Sequence, residues 1–87
     1  MIKITRLSVA GPLALDLTFS DGSRARWHGG DIIARDTVMT RPLTDPAYFA
    51  RAFIEGGALA WPNGLEFSGH TLHHRLDKAG ALVRKAA

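Results

Sequence analysis

The chain contains no cysteine. That removes a disulfide framework, a thiol nucleophile and any zinc site built on thiolates. No apolar run approaches the roughly 18 residues that a membrane-crossing helix needs. No long apolar segment with a small-residue cleavage site opens the sequence, so no signal peptide is expected and a cytoplasmic location is. Patterns tied to hydrolytic and nucleotide chemistry are missing too: G-x-x-x-x-G-K, G-x-S-x-G and H-E-x-x-H do not occur. Acidic residues are the scarcer charge, eight against eleven basic ones, giving a formal charge of +3.

What remains is a short chain of 87 residues, 46% apolar and 22% charged, which reads as globular rather than disordered. A chain of this length buries about 60–65% of its unfolded surface. Its core is modest, so contact with a protein partner or a second copy adds stability. Eight of the eleven basic residues are arginines, which permits contact with nucleic acid or an acidic protein. Most have an acidic neighbour. The exception is the end of the chain, where Lys78, Arg84 and Lys85 follow Asp77 with no further carboxylate side chain.

Periodicity predicts an α+β fold: a small antiparallel sheet built from two hairpins and covered by one or two helices. Ile2, Ile4, Leu7 and Val9 suggest a first strand with a break or bulge. Leu13, Leu15, Leu17 and Phe19 alternate with Ala14, Asp16 and Thr18, the pattern of a half-buried strand. Ser20-Asp21-Gly22 then suits a three-residue loop with Gly22 left-handed at a bulge. That loop places Phe19 opposite Ser23, Leu17 opposite Ala25 and Leu15 opposite Trp27. Thr18 meets Arg24 and Asp16 meets Arg26 on the other face. Apolar residues face apolar ones and acid faces base, a match that a one-residue slip destroys. The turn Pro62-Asn63-Gly64 behaves alike, setting Trp61 against Leu65 and Leu59 against Phe67.

Between the hairpins, His28-Gly29-Gly30-Asp31 leaves the sheet, Ile32 and Ile33 pack a short turn, and residues 36–41 read as loop or irregular strand. Asp45-Pro46 is a helix start. Tyr48, Phe49, Ala52 and Phe53 give that helix an apolar side, and Gly56-Gly57 is expected to end it. A last helix over about 70–79 carries Leu72 and Leu76 inward, with Gly80 as its stop. Residues 1–80 are thus read as one compact domain and 81–87 as a short, basic, frayed tail.

Three segments in order carry a resemblance. Leu17-Thr18-Phe19-Ser20-Asp21-Gly22, Pro42-Leu43-Thr44-Asp45-Pro46-Ala47-Tyr48-Phe49 and Gly57-Ala58-Leu59-Ala60-Trp61-Pro62-Asn63-Gly64 resemble the bacterial domain-of-unknown-function 2442 family. Its members pair an F-x-D-G hairpin with an L-x-D-P-x-x-F helix start and a W-P-N-G turn. The likeness covers roughly residues 1–76. His28–Ile33 matches the family's acidic, aliphatic segment only approximately, and the sequence after Gly80 has no counterpart. The resemblance implies a fold similar to the N-terminal domain of a nitrosomonad helix-turn-helix protein. It also implies a partner encoded next door, in an arrangement suggestive of a toxin–antitoxin pair. It implies no catalytic residue and no cofactor.

Several residues could carry chemistry. His70, His73, His74 and Asp77 fall at helical spacing and could ligate a metal, against the plainer reading of a polar helix face. His28 with Asp31 or Asp36 could form an acid–base pair, and Ser8, Ser20, Ser23 and Ser68 offer hydroxyls. Turn chemistry accounts better for Ser20 and Ser23. Trp27 and Trp61 could stack on bases, but the register sends both to packed faces. Arg24 and Arg26 share the outer face of the first hairpin, with Arg6 beside them if the first strand pairs there. They could meet nucleic acid or an acidic protein. Asp21, Gly22, Pro62, Asn63 and Gly64 read as turn builders. The leading expectation is a protein-interaction module of antitoxin-like type. A nucleic-acid-binding accessory protein and a small metal protein or enzyme using residues 70–77 are the alternatives. No membrane contact and no cofactor are expected.

Overall fold

A computed structural model describes residues 1–84. Strand β1 (Ile4–Gly11), β2 (Ala14–Phe19) and β3 (Arg24–His28) form one antiparallel sheet in the order β1-β2-β3. A second antiparallel sheet follows the same plan with β4 (Phe53–Glu55), β5 (Ala58–Ala60) and β6 (Glu66–Phe67). Helices α1 (Gly30–Ala34) and α2 (Pro46–Phe49), with a 3-10 turn at Arg41–Thr44, connect the sheets. Helix α3 (Gly69–Lys78) follows the second sheet.

The first hairpin takes the register that charge and apolar matching require. Leu15 pairs with Trp27, Leu17 with Ala25, Asp16 with Arg26 and Thr18 with Arg24. Phe19 N–H donates to the Ser23 carbonyl at 2.8 Å, and Gly22 sits at φ 85°. The second hairpin agrees as well: Leu59 pairs with Phe67, and Trp61 N–H donates to the Leu65 carbonyl at 3.0 Å. Strand β1 carries two irregularities, between Ile4 and Arg6 and between Val9 and Gly11.

The helix expected to run from Asp45 to Gly56-Gly57 is corrected by the structure. Asp45 does cap it, accepting from Ala47 N–H at 3.0 Å, but α2 ends at Phe49. Phe53 and Ile54 lie in a strand instead. Gly56 (φ 58°) and Gly57 (φ 84°) form the two-residue turn between β4 and β5. Two consecutive positive φ angles are what a tight hairpin turn of the primed type demands, and Gly-Gly supplies them without strain. The second hairpin thereby gains a third strand.

One core joins the layers. Leu15, Leu17, Phe19 and Trp27 from the first sheet meet Leu59 and Trp61, with Leu72 and Leu76 of α3. Phe49 is wholly buried and packs with both indoles in a triangle of rings, its centroid 6.1 Å from Trp27 and 5.7 Å from Trp61, which are 6.0 Å apart. The Trp61 indole N–H donates to the Phe49 carbonyl at 3.0 Å, which satisfies a donor that burial would otherwise orphan. Gly29 makes room for this aromatic stack. A Cβ there would lie 2.6 Å from Phe49 Cε2.

After α3 the chain turns at Gly80 (φ 71°) and returns to the first sheet. Val83 bridges Arg24 through two backbone hydrogen bonds, of 2.8 and 2.7 Å. Residues 81–84 of the expected tail are therefore held at the edge of β3 as far as Val83. Lys85, with the rest of 85–87, lies outside the described residues.

Candidate functional site

The histidine segment is divided among separate jobs. His73 turns to the first hairpin, with Nε2 2.9 Å from Asp21 Oδ2 and its ring edge-on to Phe19 at 5.1 Å. Asp77 pairs with Arg84 at 3.0 Å. His70 and His74 are exposed. No group of three His, Asp or Glu able to hold a metal occurs among the described residues.

Ser23, Asp21 and His73 come together, but in an order unsuited to nucleophilic catalysis. Asp21 Oδ1 accepts from both the backbone N–H and the hydroxyl of Ser23, at 2.9 and 2.5 Å. The carboxylate therefore stands between the hydroxyl and the imidazole, and His73 makes no hydrogen bond to Ser23 Oγ. A serine nucleophile needs the reverse order. Ser23 is also buried. The hydrogen bonds from the Ser23 hydroxyl and N–H, followed by the contact with His73, hold the Asp21 carboxyl down to about 2 from an ordinary 3.8. Arg84 adds a further cation 3.8 Å away. Asp21 thus ties the first turn, α3 and the returning chain together.

The other hydroxyl and acid–base candidates are separated. Ser20 Oγ accepts from Lys3 N–H at 3.1 Å, and Ser68 caps α3 by accepting from Thr71 N–H at 3.0 Å. Asp36 bonds Arg41 at 2.9 Å, and no hydrogen bond joins it or Asp31 to His28 among the described residues. Trp27 and Trp61 are 7% and 1% exposed, so neither offers a face for stacking.

The arginines do assemble. Because β1 pairs with β2 as β2 does with β3, two rows cross the solvent face of the first sheet. One is Arg6–Thr18–Arg24, the other Ser8–Asp16–Arg26. Two depressions share Asp16 and Thr18 as their common floor. One, of about 530 Å³, runs over Arg24 and Arg26 to a wall made by Ala81 and Val83. The other, of about 460 Å³, runs over Arg6 and Ser8 to Ile54. Together they make a shallow trough across the sheet.

Its electrostatics are uneven. Arg26 grips Asp16 through Nε at 2.9 Å and a second nitrogen at 3.2 Å. The hydrogen bond from Arg26 lowers the Asp16 carboxyl below its ordinary range, and Asp16 raises the guanidinium in turn. That pair is charge-neutral. Arg6 and Arg24 have no carboxylate partner among the described residues, so the trough carries two uncompensated cations on opposite sides of Thr18.

One polar organiser escaped sequence reasoning. Asn63 N–H donates to Tyr48 Oη at 3.0 Å, its Nδ2 donates to the Met39 carbonyl at 3.0 Å, and its Oδ1 accepts from Leu65 N–H at 3.1 Å. It pins the 36–41 loop and α2 to the second turn. Its turn role was legible, but partners 15 and 24 residues away leave no local signal.

Set against family models, curated proteins and solved structures, the chain matches none, so its likeness to the 2442 family stands on the three quoted motifs alone.

Proposed function

We propose that this chain is a small protein-interaction module whose binding face is the solvent side of the first sheet. One observation carries the reading: Arg6 and Arg24 stand uncompensated in a trough bounded by Ile54 and by Ala81 and Val83. The mechanism is occlusion or positioning of the partner. The fixed elements are the β2–β3 hairpin beneath and the Val83 bridge at its edge. The backbone of such a face is pre-organised, so binding has to order side chains and not a loop.

Nucleic acid is the second reading, favoured by the same arginines. A two-stranded ribbon fits the width of a major groove. Here the basic face belongs to a three-stranded sheet with material on both sides, and the indoles that could stack on unpaired bases are buried. Those features favour a polypeptide.

Co-expression with the product of the neighbouring gene, followed by size-exclusion chromatography with light scattering, tests the module reading. A stoichiometric complex at micromolar concentration is expected, or a self-associated species if the partner is a second copy. A monomer that elutes alone at that concentration contradicts it.

A further inference from the structure

We infer that the trough takes an extended, acidic polypeptide segment, its carboxylates seated on Arg6 and Arg24. This rests on the module reading and names the chemistry of the partner. Three guanidinium groups and one carboxylate line the trough, and that carboxylate is already spent on Arg26. Arg6 and Arg24 flank Thr18 one strand to either side. Two strand spacings separate them by about 10 Å. A chain in the extended polyproline II conformation advances about 3.1 Å per residue with three residues per turn, so carboxylates three residues apart lie on one side and span that distance. Guanidinium groups hold carboxylates through paired parallel hydrogen bonds, which adds orientation to attraction. Between the two arginines, the Thr18 hydroxyl can serve the backbone of a chain crossing the sheet. The lining has no aromatic side chain, so a nucleic-acid strand would find phosphate contacts but no stacking platform.

The Arg26–Asp16 pair sets the strength of the site. Asp16 repels an incoming carboxylate and also occupies a guanidinium that could receive one. Its removal should therefore tighten binding. A merely solvated sheet face has no reason to respond in that way.

The test uses the full chain and three labelled probes followed by fluorescence anisotropy. They are a ten-residue peptide with glutamates three apart, its glutamine counterpart and a ten-nucleotide oligothymidine. The glutamate peptide is expected to bind most tightly. Its affinity should fall about tenfold in Arg6→Glu/Arg24→Glu and rise about threefold in Asp16→Asn, shifts of a size that one or two exposed charge pairs produce. All three positions are on the solvent face, and unchanged near-ultraviolet circular dichroism checks that each variant keeps the fold. Equal binding of the glutamate and glutamine peptides overturns the acidic assignment while leaving the module reading intact. Tighter binding of oligothymidine overturns it in favour of nucleic acid. No binding of the glutamate peptide at millimolar concentration overturns it as well, whatever complex the co-expression experiment yields.

Discussion

Asp21 and Gly29 show how single residues set this structure. Asp21 was legible as a turn former, and the carboxylate does bind the turn through Ser23. Its contact with His73, 52 residues away, was not, because helical spacing says nothing about which hairpin the helix meets. The folded carboxyl titrates at about 2, below its ordinary 3.8. A lowered folded value means stability present above about pH 4 and lost as pH falls toward 2. Urea unfolding across that window should show the loss, and Asp21→Asn should flatten it. Gly29 makes a different point. It reads as a flexible exit from β3, yet its conformation is ordinary and its lack of Cβ is what matters, because Phe49 packs on it. Gly29→Ala should lower the unfolding free energy by about 1–3 kcal/mol, the usual cost of overpacking a filled core. Denaturant midpoints will measure it.

At the scale of elements, the hairpins were readable and one helix was not. Leu13 to Phe19 alternates over a full strand, and the turn loop leaves a single register that satisfies both faces. Nothing comparable favours β4, which has three residues and pairs through an all-buried, alanine-flanked β5. Tyr48, Phe49, Ala52 and Phe53 happen to fall at helical spacing, and a local pattern cannot reveal that Phe49 is claimed by the two indoles. Gly56-Gly57 held the missing signal, a turn pair suited to a hairpin. The two glycines should differ on substitution. Gly57 sits at φ 84° with Lys3 Cβ 2.6 Å from a Cβ placed there, whereas Gly56 faces open space at φ 58°. Gly57→Ala should cost about 1–2 kcal/mol, the left-handed penalty for a residue with a Cβ. Gly56→Asn should stay within about 0.5 kcal/mol, since asparagine tolerates that region. Thermal melts of the two variants compare them directly.

At the scale of the molecule, two three-stranded sheets and α3 enclose one aromatic core and leave one sheet face to solvent. That face was half legible. The pairing of Asp16 with Arg26 and the alignment of Arg24 followed from register, and Arg6 joined them once β1 paired with β2. The walls could not be anticipated, because they come from Ile54 on an unexpected strand and from Val83 in a segment read as a frayed tail. This walled, basic face is proposed as the place where the protein meets its partner. Amide chemical-shift mapping of the ¹⁵N-labelled full chain, titrated with the glutamate peptide, tests it most directly. Perturbations grouped at Arg6, Ser8, Asp16, Thr18, Arg24 and Arg26 are expected. Perturbations grouped instead on the exposed Val38 and Met39 loop, with the first sheet silent, would contradict it.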